Sequence, residues 1–162
     1  QDTWLSDGTI RDNIAFARPD ATDEEIIAAA KSAHAHSFIK KLPHGYNTVI
    51  GEGGGALSQG QKQLLCIARI MLTDPEILIL DDSASALDYA TDAALRRSLR
   101  EMGGDTTTFV VSQRAASVMH ADKIIVLDDG RAVGIGTHRE LMDTCREYAE
   151  IYESQFDRGD GV

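Results

Sequence analysis

A chain of 162 residues with 43% apolar side chains holds enough material for the core of one ordinary domain, and 26% charged residues mark it as globular rather than disordered. Sixteen basic against 26 acidic side chains leave a net charge of −10, and the basic ones are scattered, which argues against a nucleic-acid partner. No apolar run approaches the roughly 20 residues that cross a bilayer; the longest strongly apolar stretch, 77–80, has the length of a buried strand. Gln1-Asp2-Thr3-Trp4 has neither an initiator Met nor a basic segment leading into an apolar one, so the N-terminus reads as a cut inside a larger protein. Two cysteines make no disulfide framework. Cys66 falls in a helical apolar pattern and is expected as a buried free thiol in a reducing, cytosolic setting.

In chain order, residues 1–55 show helices and loops but no convincing strand. Trp4 is expected to pack. Thr22 with Glu25 forms a helix-opening box ahead of Ile26, Ile27 and Ala30. His34 and His36, two apart, face different sides of a helix and make no metal pair, and His44, His120 and His138 have no partner cluster. Gly53-Gly54-Gly55 marks a hinge. Ser58 with Gln61 opens the next helix, whose Leu64, Leu65, Ala68, Met71 and Leu72 form a broad apolar stripe that must face a core. After a turn at Asp74-Pro75 come strands over 77–81, 106–112 and 123–128, with helical segments at 88–102 and 114–120 between them. The near-continuous apolar centres of these strands predict burial on both faces, as in a parallel sheet. Asp129-Gly130 turns the last strand back as an antiparallel hairpin over 131–135. Thr137 with Glu140 opens a further helix, the helices run through Phe156, and 157–162 is a polar, Gly-rich tail expected to fray. The chain thus divides into a mostly helical piece, 1–73, and a sheet-containing piece, 74–162.

Leu57-Ser58-Gln59-Gly60-Gln61 combines a capping hydroxyl, a Gly that admits close approach and a helix start whose free N–H groups suit a phosphate. By itself this reads first as a well-capped core helix. Asp81-Asp82 ends a buried strand where α/β folds bind ligands and where a carboxylate holds Mg²⁺ against nucleotide phosphates. By itself this is equally a strand leading into an acidic helix cap.

Together, and followed by Ser85-Ala86-Leu87-Asp88, the two resemble the ABC ATPase family, whose signature motif, Walker B strand and D-loop they match. The likeness extends outward. Gln1-Asp2-Thr3 resembles the Q-loop, and Asp7-Gly8-Thr9-Ile10-Arg11-Asp12-Asn13-Ile14 is similar to the segment that follows it in exporters. Thr48-Val49-Ile50-Gly51-Glu52 resembles the exporter loop ahead of the signature, with Glu52 the contact residue. Leu127-Asp128-Asp129-Gly130-Arg131 and the run from Gly136 to Leu141 resemble the family's C-terminal region. The resemblance implies an α/β fold: part of the RecA-like parallel sheet core of a P-loop NTPase, with an ABC-type helical subdomain. It also implies a head-to-tail pair of such domains around two ATP molecules with Mg²⁺. In that pair Ser58, Gln59, Gly60 and Gln61 face the γ-phosphate of the opposing nucleotide. Gln1 and Asp81 attend the Mg²⁺, Ser85 and Asp88 lie at the seam, and Glu52 contacts the transmembrane domain of the transporter. The full-length protein is then expected at the cytoplasmic face of the membrane.

Three features depart from the family pattern. No Gly-Lys pair occurs in the chain, so the loop Gly-x-x-x-x-Gly-Lys-Ser/Thr is absent from these residues, and weak ATP affinity and no hydrolysis are expected of the chain alone. Asp82 stands where the family has Glu, one methylene too short for a base that must lie within about 3 Å of its proton. Gln113 stands where the family has His; it can hydrogen-bond a phosphate but cannot carry a proton. Two changes in one site imply a degenerate site, paired in a heterodimer with a subunit that keeps Glu and His. Two other readings remain: a soluble ABC-class ATPase acting on DNA or ribosomes, disfavoured by the stretch at 7–14, the Glu52 loop and the acidic balance, and a non-hydrolytic regulatory half, which Asp82 and Gln113 keep open.

Overall fold

Four helix starts among the described residues are closed by the same reciprocal pair of hydrogen bonds. A Ser or Thr hydroxyl accepts the amide three residues on, and that residue's side chain accepts the amide of the cap. Thr22 with Glu25, Ser58 with Gln61 and Thr137 with Glu140 do so as expected. The fourth pair, Thr9 with Asp12, escapes a rule that asks for Glu or Gln, because the shorter Asp carboxylate still reaches the Thr9 amide at 3.0 Å.

The computed structural model describes residues 4–81, 87–101 and 106–156. The chain forms two compact units, 1–109 and 110–162. The first is built on helix α4, Gln59–Leu72, preceded by α1 (Ile10–Ile14), α2 (Asp23–Ser32) and α3 (His36–Ile39). The expected stripe of α4 is buried, Leu64, Leu65, Ala68, Met71 and Leu72 together with Ile67. Ile10 and Ile14 of α1 and Ile26, Ala29 and Ala30 of α2 belong to the same apolar core. Leu65 has no exposed surface, and its truncation to Ala costs about 2–5 kcal/mol. Contrary to expectation, the first 55 residues do hold strands. Gly8–Thr9 (β1) and Val49–Ile50 (β2) pair antiparallel, with Gly8 opposite Ile50. Two residues are too few to show an alternating pattern, and the pairing joins segments forty positions apart, so nothing local announces it.

A βαβ unit completes this part: β3 (Ile77–Asp81), α5 (Tyr89–Glu101) and β4 (Thr107–Val111), with β3 and β4 neighbours in one sheet. The Thr107 amide donates to the Glu76 carbonyl at 2.8 Å and the Thr106 hydroxyl to the Pro75 carbonyl at 3.0 Å. Both strands therefore start at the same end and run parallel, as a helical crossover requires. The expectation of burial on both faces is not met. Leu78 and Leu80 are buried, whereas Ile77 and Ile79 are 62% and 65% exposed, and Phe109, Val110 and Val111 are exposed as well. The apolar run suits a two-sided strand, but among the described residues no layer lies over the Ile77 and Ile79 face.

Cys66 is half-buried rather than buried, and desolvation raises its thiol pKa; Cys145 is the buried cysteine. Trp4 is mostly exposed and packs edge-on against Phe16 instead of entering the core.

In the second unit, β5 (Ile124–Asp128) and β6 (Arg131–Gly136) form the expected hairpin. Asp129 and Gly130 both have positive φ, as a two-residue turn of primed type demands. Helices α6 (Ala115–Val118), α7 (His138–Thr144) and α8 (Arg146–Phe156) accompany it. Ile124, Val126, Leu141, Cys145 and Tyr148 make its core. A Cβ on Gly134 would stand 2.8 Å from Cys145 Sγ and 2.9 Å from Leu141, so only Gly lets α7 seat this closely on β6. Residues 157–162, expected to fray, lie outside the described residues.

Candidate functional site at the start of the signature helix

Ser58 ends an extended segment and opens α4. Its hydroxyl accepts from the Gln61 amide at 3.3 Å, while Gln61 Oε1 accepts from the Ser58 amide at 3.0 Å. The helix is therefore capped at its first turn, and the Gly60 amide has no acceptor within the helix. These residues line an open cleft of about 700 Å³. The cleft is lined as well by Leu87 and Asp88, just ahead of α5, by Thr91 in its first turn, and by His34. The structure thus brings together two groups that the sequence places thirty residues apart, Ser58 to Gln61 and Asp88.

Asp88 caps α5 with both carboxylate oxygens. Oδ1 accepts from the Thr91 amide at 2.9 Å and Oδ2 from the Thr91 hydroxyl at 2.7 Å. The Thr91 amide bond, and then the hydroxyl bond, hold its carboxyl below the usual carboxylate range. Asp88 is consequently ionised near neutrality and fixed in place. Among the described residues no Lys or Arg lines the cleft. Any attraction for an anion must come from the helix start, equivalent to about half a charge. That is too little to hold a triphosphate without further cations.

Asp81 stands exposed at the C-terminal end of β3. One open carboxylate fits a Mg²⁺ that takes one or two protein ligands and completes its shell with phosphates and water; no cluster of three metal-ligating side chains occurs among the described residues. Gln113 follows β4 in the second unit, with its side chain exposed. Glu52 opens the short turn Glu52–Gly54, and its side chain is outside the described atoms. Gln1, Asp82 and Ser85 lie outside the described residues. The Glu52 turn leans on the segment after Gln1. Gly53 donates to the Leu5 carbonyl at 3.3 Å, and a Cβ on Gly54, whose φ is +65°, would meet Leu5 at 2.9 Å. Sequence reading missed three groups that secure these elements, Asn13, Arg69 and Gln155, because each has a partner 40 or more residues away.

The pattern described as ABC transporter matches residues 1–85, more than half of the chain. The chain belongs to the ABC transporter family. This member is 49% identical over 155 residues to YgaD of Bacillus subtilis (strain 168), named a multidrug export ATP-binding/permease protein. It is 48% identical over 155 residues to a similarly named protein of Staphylococcus aureus (strain NCTC 8325 / PS 47). Each alignment covers 96% of the chain and 27% of the relative. The solved structure of a bacterial Atm1-family ABC exporter with ATP bound is similar at a TM-score of 0.92 and 39% identity, over 96% of this chain and 28% of that one. The ABC chain therefore has the fold of a part of that exporter, and spans little more than a quarter of the length of its relatives.

Proposed function

We propose that the chain is the part of an ABC exporter's ATP-binding domain from the Q-loop onward, and that it works head to tail with a second nucleotide-binding domain and with the transporter's transmembrane domain at the cytoplasmic face of the membrane. Within it, 1–73 carries the Q-loop and signature helix, and 74–162 the C-terminal half of the ATPase core. The observation that carries this reading is the cleft between the start of α4 and Asp88. It has a helix start that suits an anion and, among the described residues, no Lys or Arg in its lining, which suits a phosphate already held by another subunit.

In that arrangement Ser58, Gly60 and Gln61 bind the terminal phosphate of the opposing ATP, and the rigid cap aims them without reorganisation. Asp88, whose carboxylate oxygens are both engaged by Thr91, borders the seam with Ser85. Asp81 and Gln1 would hold Mg²⁺, which supplies charge neutralisation for the phosphates. At this chain's own nucleotide site Asp82 orients water from too far back, and Gln113 hydrogen-bonds the terminal phosphate without bearing charge. That site is degenerate: it binds ATP and hydrolyses it slowly, while the partner subunit, with Glu and His, supplies the fast site served by Ser58. The ATPase activity belongs to the full complex, and the chain alone is inactive.

Ser58→Ala in the full-length pair tests this. The account expects turnover at the opposing site to fall by at least tenfold, with ATP affinity little changed, since one well-aimed donor is worth about 10²-fold or more in rate. Unaltered turnover contradicts it.

A further inference from the structure

Gln155 leaves the last turn of α8 and fastens the loop that carries Gln113. Its Nε2 donates to the Gln113 carbonyl at 2.8 Å, and its Oε1 accepts from the Ala115 amide at 2.8 Å. One planar amide thus uses both its donor and its acceptor on residues two apart, a combination that a carboxylate or hydrocarbon of the same shape cannot reproduce. Ala115 is the first residue of α6, and the cap before it, Arg114, makes no side-chain capping bond. Gln155 supplies from another helix the acceptor that a capping Ser or Asp ordinarily provides. The Ser112 hydroxyl accepts from the Arg114 amide at 3.1 Å, so the backbone over 112–115 is held at three points while the Gln113 side chain stays exposed.

The reach of Gln155 depends on the rotational setting of α8. Tyr148, Tyr152 and Phe156, four residues apart, form one stripe along that helix. Tyr148 Oη lies 2.9 Å from His138 Nδ1, the Tyr152 ring lies 5.0 Å from the His138 ring, and Phe156 stacks on Tyr152 at 4.3 Å. This ladder pins α8 to the first residue of α7, and the amide of Gln155 is delivered to the loop as a consequence.

We propose that Gln155 is a positioning residue for Gln113: through the loop backbone it sets the aim of the Gln113 side chain at the terminal phosphate of this chain's nucleotide, which makes the last helix a determinant of ATP-over-ADP preference. The proposal rests on the role given to Gln113 above.

The test uses the full-length transporter pair with Gln155→Met, which keeps the shape and removes the amide, Gln155→Glu, which keeps only the acceptor, and Gln113→Ala. Amide exchange over 113–116 and the ratio of ATP to ADP affinity at this chain's site are measured for each. Gln155→Met should speed exchange at Ala115 by about fivefold or more, the equivalent of one net hydrogen bond. It should also lower the ATP preference to that of Gln113→Ala, with no further loss when the two are combined. Gln155→Glu should keep Ala115 protected and retain part of the preference. Gln155→Met with normal exchange, or with a lowered melting temperature but an intact preference for ATP, overturns the proposal. Faster exchange in Gln155→Met, with Gln113→Ala itself keeping the preference, leaves the backbone clamp standing and removes the nucleotide role of Gln113.

Discussion

The guanidinium of Arg69 grips Asn13 twice, through Nε to the Asn13 carbonyl at 2.8 Å and through Nη2 to its side-chain oxygen at 3.2 Å. Nη1 reaches the Trp4 carbonyl at 3.2 Å, and the cation lies over the rings of Trp4 and Phe16 at 5.7 and 5.2 Å. Asn13 has no exposed surface, and its amide nitrogen donates to the carbonyls of Ser6 and Thr9 at 2.9 and 3.1 Å. The last turns of α4 are thereby joined to the segment that follows Gln1. A displacement of that segment has a stiff route to the helix that begins at Ser58.

Asn13→Ala should cost about 2–4 kcal/mol of stability, because it leaves buried carbonyls and part of a guanidinium unpaired. Arg69→Lys should also destabilise the chain, since a point ammonium cannot serve two acceptors and two rings with a fork's geometry. Chemical denaturation of both variants checks this. A loss below half a kilocalorie for Asn13→Ala (about the scatter of surface substitutions) contradicts the network.

Restoring the family residues should restore chemistry. In the full-length pair, Asp82→Glu combined with Gln113→His is expected to raise ATP turnover roughly tenfold or more, within the range that positioned acid–base groups contribute. Steady-state hydrolysis of the double variant decides it, and an unchanged rate removes the degenerate-site reading.

The chain by itself should bind Mg-ATP weakly and hydrolyse none. Among the described residues no Lys or Arg lines the cleft at Ser58, and the sequence has no Gly-Lys pair. Titration calorimetry should find no micromolar binding; a micromolar isotherm contradicts the expectation.

Stability should fall in two steps on acidification. Burial, helped by the cations of Lys31 and Lys40, pushes His36 below its usual value of about 6.5. The unfolded chain then takes the proton first, so stability declines as pH drops below that value. The carboxyls of Glu25 and Glu140 are held low, chiefly by the amides of Thr22 and Thr137. Their contribution is complete above the usual Glu range, about 4.3, and is lost as pH falls through the depressed values. Denaturation between pH 7.5 and 3 should show both steps. His36→Gln should remove the upper step alone, and Glu25→Gln with Glu140→Gln should reduce the lower, to which the depressed carboxyls of Asp12 and Asp88 also contribute. A curve independent of pH down to 4 contradicts the first step.

What the sequence disclosed was local. Ser58 and Gln61, three apart, close on one another through bonds their spacing alone dictates, and the stripe from Leu64 to Leu72 follows from helical periodicity. Asp88 could be named from its motif, but its engagement with Thr91 depends on where α5 begins. The rest was long-range. Thr9 and Val49 pair across forty residues, Arg69 finds Asn13 across fifty-six, and Gln155 finds Ala115 across forty. No propensity or period marks such partners, since each is an ordinary polar or apolar residue until the chain brings it to its place. The exposed face of Ile77 and Ile79 was illegible for a related reason: an apolar run records what the strand tolerates, not which layer covers it.

The most direct test is a structure of the intact transporter pair with Mg²⁺ and a non-hydrolysable ATP analogue. The account predicts the terminal phosphate of the nucleotide held by the other subunit within hydrogen-bond distance of the Ser58 hydroxyl and the Gly60 amide, and Asp81 beside the metal of this chain's own nucleotide. Nucleotide bound with neither the α4 start nor Asp81 near its phosphates contradicts it.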